Sequence, residues 1–217
     1  MEEIGSKSGL AIVLSGLKGF NEPKVRQEQY LMDSETGASM LWNAYLLGDI
    51  RGRVIADMGC GTGILGIGSL LLGAKEAFLV DSDKEALETA KNNILQVKSE
   101  GYKLGKVKII CKDIKSVDLN AEVIVQNPPF GTKVTHADAD FLKVALKIAP
   151  IVYSFHKSET KPFLERFSAA NGTRITHIWE YRFPLKATFA FHRRQIHRIN
   201  VSCFRLESIK HVLSPRK

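Results

Sequence analysis

The chain has 217 residues, 44% of them apolar and 25% charged, a balance that excludes a disordered polymer and fits one substantial α/β domain rather than two. Its 31 basic residues outnumber its 23 acidic ones, for a net charge of +8. The longest apolar stretch, residues 64–74, is interrupted by glycine and too short to span a bilayer, and no signal peptide is visible, so a soluble cytoplasmic protein is expected.

Residues 10–20 are an apolar segment ending at Gly19, expected to form a short helix, and 24–30 are polar and partly helical. Ser34 or Thr36 is placed to cap a helix whose apolar positions, Met40, Leu41, Ala44, Tyr45 and Leu47, recur at helical spacing up to Gly48. From Arg53 the pattern alternates: strand 54–57, a glycine-rich turn, helix 64–72, strand 77–81, helix 83–97, strand 107–111, strand 123–127, helix 138–148, strand 151–155, helix 158–170. Such alternation predicts a parallel sheet with helices on both faces. The stretches 175–183 and 196–206 are β-rich and joined by a basic loop, which predicts an antiparallel hairpin at the sheet edge. The expected organisation is a single domain over 1–217, with a helical cover (1–50), a core (51–172) and a basic C-terminal hairpin (173–217).

The three cysteines, Cys60, Cys111 and Cys203, lie far apart and show no metal-ligand spacing; buried thiols are expected, and no metal. From Lys186 onward eight basic residues, Arg205 among them, face one acid, Glu207, with Phe189 and Phe191 interleaved. This suits docking on phosphates with ring stacking, and it equally suits a strand edge protected by charge.

The first strand runs into Asp57-Met58-Gly59-Cys60-Gly61-Thr62-Gly63 and then a helix. Glycines there let a ligand approach the backbone, and the helix N–H groups offer hydrogen bonds. Gly61 to Gly66 is also a G-x-G-x-x-G, and Asp81, followed by Ser82, lies about twenty residues on, where a dinucleotide enzyme keeps its ribose carboxylate. Charge favours S-adenosylmethionine instead. Asp57 is suited to the cofactor's ammonium, directly or through water, and ill suited to a pyrophosphate. Asp113 and Ile114 end the third strand, where the acid can accept from an adenine amino group and Ile114 can pack on the ring.

The fourth strand stops at Asn127-Pro128-Pro129-Phe130. The prolines stiffen the backbone and leave carbonyl acceptors without N–H groups, and Asn127 adds a side-chain acceptor. Two acceptors on a rigid frame, beside the stacking ring of Phe130, suit a flat group bearing an exocyclic NH₂: adenine, cytosine or a carboxamide.

With these residues in place the chain resembles the class I methyltransferases of exocyclic amino groups. More narrowly, Glu28-Gln29-Tyr30, Asn127 to Thr132, Tyr153-Ser154-Phe155-His156-Lys157 and Phe191-His192-Arg193-Arg194 resemble the methyltransferase-like five family and its archaeal relatives, over nearly the whole chain. The resemblance implies a Rossmann-like seven-stranded class I methyltransferase sheet, mostly parallel, and N6-methylation of an adenine in small-subunit ribosomal RNA. It also implies a small activator subunit, as in the eukaryotic members. It places Gln29, Tyr30, Asp57, Gly59, Gly61, Gly63, Asp81, Ser82, Asp113, Ile114 and Asn127 at the cofactor, and Asn127, Pro128, Pro129 and Phe130 at the reacting amine. His156, Lys157, Phe191, His192, Arg193 and Arg194 are implied contacts to RNA. One departure is Met32, where those relatives commonly carry threonine.

The implied chemistry is direct transfer. Asn127 and the Pro128 carbonyl hold the amine hydrogens while Phe130 stacks on the base, and alignment replaces a general base. Rival readings are methylation of a protein glutamine, methylation of DNA adenine, and a non-catalytic RNA-binding assembly factor. The intact set Asp57, Asp81, Asp113 and Asn127 argues for an enzyme.

Overall fold

The computed structural model describes residues 4–20, 32–130, 137–185 and 197–209. In chain order the helices are α1 (Lys7–Ser15), α2 (Ser34–Leu46), α3 (Ile64–Leu71), α4 (Lys84–Ser99), α5 (Ala137–Ile148) and α6 (Lys161–Ala170). The strands are β1 (Val54–Met58), β2 (Glu76–Asp81), β3 (Lys106–Cys111), β4 (Val123–Gln126), β5 (Ile151–Lys157), β6 (Thr173–Leu185) and β7 (His197–Ser208). They form one sheet in the order β3-β2-β1-β4-β5-β7-β6. β1 to β5 are parallel, and β7 runs antiparallel to both β5 and β6. The parallel core and the terminal hairpin are as the sequence predicts.

The interior strands alternate between two cores because successive side chains point to opposite faces. Ile55, Val123, Val125, Tyr153 and Phe155 pack under α1 to α4, while Ala56, Met58, Ile124 and Val152 pack under α5 and α6. All four β4 residues are buried, as expected of a strand covered on both faces. Met32, at the departure from the family pattern, is buried in the first core, with its Cγ against Gly37.

Two helix boundaries differ from expectation. α2 is capped by Asp33 rather than Ser34 or Thr36: its Oδ2 accepts from the Thr36 N–H at 3.0 Å and the Thr36 hydroxyl at 2.9 Å. α1 begins at a Ser6 cap and ends at Ser15, not at Gly19. The buried Asn93 of α4 draws residues 16–20 away from helical geometry: its Oδ1 accepts from Lys18 N–H at 2.8 Å, and its Nδ2 donates to Lys18 O and Thr62 O at 3.0 Å each. Of the three thiols, Cys60 and Cys203 are buried as expected, whereas Cys111 is exposed because it ends the edge strand β3.

Arg205 leaves the set of phosphate-docking cations. It is 5% exposed and its Nε donates to Asp49 Oδ2 at 2.8 Å, an oxygen that also accepts from Tyr153 OH at 2.8 Å. Its Nη1 donates to Thr176 Oγ1 at 2.8 Å and lies 3.3 Å from Glu207 Oε2. β7 pairs on both sides, so a charge on it that points inward needs an anion and not a solvent contact. Among the described residues no helix is long and apolar enough to cross a membrane.

Candidate active site

The strand order reverses at β1. The chain moves outward through β2 and β3, then returns to place β4 on the other side of β1. In open α/β sheets ligands bind at such a switch point, beyond the carboxyl ends of the strands. Those ends carry Asp57 in β1, Asp81 in β2, Asp113 after β3 and Asn127 after β4, so the topology gathers all four predicted positions along one edge. A separate cavity of about 570 Å³, lined by Tyr45, Arg51, Leu70, Tyr102 and Leu104, lies at the opposite ends of β1 to β3. Among the described residues no carboxylate lines it.

The glycine turn is fastened from two sides. The N–H groups of Gly59 and Cys60 both donate to Val80 O, at 2.8 and 2.9 Å. Asp81 Oδ2 accepts from Gly61 N–H at 2.7 Å, and its Oδ1 accepts from Asp83 N–H at 2.9 Å. The acid about twenty residues past the turn thus holds the turn itself. Gly61 has φ of 53°, and a Cβ there would lie 2.7 Å from Cζ of Phe20. Gly59 has φ of 69°, and a Cβ would lie 2.9 Å from Cε1 of Phe141 on α5. Left-handed geometry and a covering ring both require glycine. Gly63 closes the turn as the residue before α3.

Phe20 and Phe141 are neighbours of the turn that sequence reading did not single out. The spacing of residues gives no cue to either, since each reaches the turn only through tertiary packing. The same holds for Asn93, which ties the Phe20 segment to Thr62.

Asp57 lies beneath the turn, 1% exposed, with Oδ2 accepting from Gly66 N–H at 2.8 Å. Burial pushes its carboxyl up to about 7; the Gly66 hydrogen bond opposes this and the nearby Asp81 adds to it. Asp81 is also raised, chiefly by burial. Among the described residues no cation pairs with either. A buried carboxylate pair without a cation suits a positively charged ligand and repels a pyrophosphate.

This makes stability depend on pH in a stated direction. The folded pKa of Asp57 lies above the unfolded one, so its contribution is fully present below about pH 4 and is lost as pH rises through about 7. Denaturant titrations of the ligand-free protein are expected to show stability falling across that window, with the slope removed in Asp57→Asn. An unchanged slope in that variant would assign the effect elsewhere.

Asp113 is exposed and caps a short 3-10 turn, Ile114–Ser116, its Oδ1 accepting from Lys115 N–H at 2.8 Å. Ile114 is buried against the second core and Ser82 is exposed. At β4, Pro128 is buried, and Phe130 is partly buried with its ring 6.4 Å from that of Phe183. The Asn127 Oδ1 is buried and makes no hydrogen bond to any described residue. Unpaired buried acceptors are uncommon, and one at the carboxyl end of a strand beside the switch point points to a donor on a ligand.

Of the expected RNA contacts, Lys157 is partly exposed, 3.7 Å from Glu159. His156 is not a surface contact: it is 1% exposed, within hydrogen-bond distance of Ser154 Oγ at 2.7 Å. It lies on the face of β5 that meets α5, with Nδ1 3.7 Å from Asp138 Oδ2 and the ring 6.1 Å from that of Phe204. Gln29, Tyr30, Phe191, His192, Arg193 and Arg194 lie outside the described residues.

The family model of the ribosomal protein L11 methyltransferase (PrmA) matches residues 39–128, the part that holds the glycine turn and β4. An uncharacterized protein of Methanocaldococcus jannaschii is 38% identical over 94% of this chain and 94% of its own length. The Drosophila melanogaster rRNA N(6)-adenosine-methyltransferase Mettl5 is 31% identical over 89% of this chain and 92% of its own. The crystal structure of a proposed RNA methyltransferase from Pyrococcus horikoshii superposes with a TM-score of 0.86 at 41% identity, covering 95% of this chain and 99% of that one.

Proposed function

Because the chain belongs to the METTL5 family of rRNA N(6)-adenosine-methyltransferases, we propose that it methylates the exocyclic N6 of an adenine in RNA, most directly small-subunit ribosomal RNA. The observation that carries this reading is the buried, unpaired Asn127 Oδ1 at the end of β4, across the switch point from the acid-lined glycine turn. S-adenosylmethionine, when bound, supplies a methyl group on a sulfonium. Asp57, buried beneath the turn, offsets the positive charge of that ligand from below, and Asp81 keeps Gly61 in place to receive it. Asp113 reaches for the adenine amino group and Ile114 flanks the ring. Gln29 and Tyr30 complete this cofactor site.

At the other side of the site, Asn127 Oδ1 and the Pro128 carbonyl accept the two hydrogens of the adenine amine, drawing its lone pair out of conjugation with the ring. Phe130 stacks on the base. With the cofactor bound, its sulfonium would release the methyl group to N6 as the C–S bond breaks, and the excess proton on N6, then acidic, would leave to water. Lys157, Phe191, His192, Arg193 and Arg194 bind the RNA backbone around the target, a small activator protein is a further partner, and the cytoplasm is the site of action.

A Gly61→Ala variant tests the cofactor cradle. Its positive φ costs about 1–2 kcal/mol for any other residue, and the added methyl must displace Phe20. Cofactor affinity measured by titration is expected to fall at least about tenfold. Gly101→Ala, at φ of 93° with open space around it, is the matched control that bears only the backbone strain. Equal affinity in both variants would remove Phe20 and Gly61 from the cradle.

The function itself is tested by transfer of labelled methyl from S-adenosylmethionine to small-subunit ribosomal RNA, followed by digestion to nucleosides. N6-methyladenosine is the expected product. The match to the L11 methyltransferase model favours one second reading, since a protein carboxamide satisfies the same two acceptors. Label in a glutamine and none in RNA would move the chain there.

A further inference from the structure

The turn that holds Asn127 is tethered from within. Gln126, the preceding residue, is fully buried at the end of β4, and its Nε2 donates to Ser154 Oγ at 2.9 Å. Ser154, also fully buried, lies 2.7 Å from His156 Nε2. The other ring nitrogen of His156, Nδ1, is 3.7 Å from Asp138 Oδ2. Asp138 is the second residue of α5, the helix entered after the turn, and its Oδ1 accepts from Ala139 N–H at 2.9 Å. A buried polar chain therefore connects the residue just before the turn to the helix just after it.

The first turn of α5 touches the cofactor side as well. Asp140 pairs with Lys115 at 2.7 Å, next to Ile114, and the ring of Phe141 covers Gly59. Those cofactor-side contacts belong to Asp140 and Phe141, whereas Asp138 faces His156.

Burying three polar side chains against a half-buried carboxylate costs stability unless they are mutually bonded, and apolar residues would fill the same space more cheaply. What a polar chain adds is direction. Burial lowers the proton affinity of His156, which favours the neutral ring, while Asp138 pulls the other way. Of the two neutral tautomers, a proton on Nε2 sets the Nδ1 lone pair against the Asp138 carboxylate. A proton on Nδ1 is attracted by that carboxylate and leaves Nε2 to accept from the Ser154 hydroxyl, which in turn accepts from Gln126. The sequence of donors then runs one way, Gln126 to Ser154 to His156 to Asp138.

We propose that His156 and Asp138 are positioning residues for methyl transfer: their contact locks the two ends of the catalytic turn and thereby aims Asn127, an assignment that rests on the adenine-methyltransferase reading above. Neither residue touches RNA or cofactor.

The test is a double-mutant cycle with Asp138→Ala and His156→Gln, reading kcat, KM for RNA, cofactor affinity and the thermal midpoint. Each single variant is expected to lose about tenfold to a hundredfold in kcat, with KM and cofactor affinity held within about threefold. The double variant is expected to be no worse than the poorer single, because both changes break one contact. Asp138→Asn keeps an acceptor for Nδ1–H and is expected to recover most of the rate. Multiplicative losses in the double variant would overturn the proposal, as would a raised KM for RNA at unchanged kcat or a lowered thermal midpoint with full activity in the folded enzyme. Nitrogen NMR of histidine-labelled protein, with His156→Gln identifying the signal, is expected to show the neutral Nδ1–H tautomer without any RNA present. An Nε2–H or cationic ring in an active enzyme would sink the tether alone. An Nδ1–H ring in a chain that methylates no adenine would sink the functional reading and leave the tether standing.

Discussion

Asn127→Ala is expected to abolish methyl transfer to RNA, by at least about a hundredfold in kcat, while cofactor affinity and RNA binding stay near wild type. The substitution removes a buried acceptor that no described residue satisfies, as none satisfies Oε1 of the preceding Gln126, so that acceptor's loss breaks no hydrogen bond among the described residues. Losing an acceptor that no described residue uses has little effect on the fold, and the thermal midpoint should hold. Single-turnover methylation with labelled S-adenosylmethionine, alongside RNA binding, is the measurement. A variant that transfers methyl at the wild-type rate would separate Asn127 from the chemistry. One that loses RNA binding along with turnover would make it a docking residue.

Asp49→Ala is expected to be the most destabilising single change among the described polar residues. It leaves Arg205, 5% exposed, with Thr176 Oγ1 at 2.8 Å and, as its one carboxylate among the described residues, Glu207 at 3.3 Å, which is shared with Arg174 at the same distance. Removing one partner of a buried ion pair costs about 3–5 kcal/mol. For a chain of this size that lowers the thermal midpoint by roughly 10 °C or more. The loss also frees the Tyr153 hydroxyl, whose pKa burial and Asp49 together hold well above its usual value. Replacing both charges, as in Asp49→Leu with Arg205→Met, is expected to recover much of the loss, since no charge is then left unpaired. Chemical denaturation of the two variants decides it: a cost below about 1 kcal/mol for the single change would mean that water reaches the guanidinium.

The strand-end residues were legible in the sequence because each interrupts an apolar run. Asp57, Asp81, Asp113 and Asn127 stand where a strand must stop, and alternation with helices makes those strands parallel, so their carboxyl ends share one edge. What the sequence does not show is the inward-facing polar residues. His156 in Tyr153-Ser154-Phe155-His156 reads as the polar side of a half-exposed strand; it is buried because residues distant in the chain, Asp138 of α5 and Phe204 of β7, pack against it. Arg205 is hidden for the same reason, and its partner Asp49 lies 156 residues earlier in the chain. Asn93 sits on a helix most of whose other polar residues face solvent, and its bonds to Lys18 and Thr62 distinguish it. Pairings across such separations leave no local pattern to read.

The position of β7 also fixes the order in which the protein is completed during synthesis. β6 is made first, yet its only neighbour in the sheet is β7, which lies between it and β5. Until β7 emerges, β5 is an open edge, and β6 is a long strand rich in aromatic residues with nothing to pair to. Asp49 meanwhile waits without its guanidinium. The nascent chain must therefore carry an unfinished sheet until β7 is released, so ribosome-bound intermediates stopped before β7 should be the aggregation-prone ones.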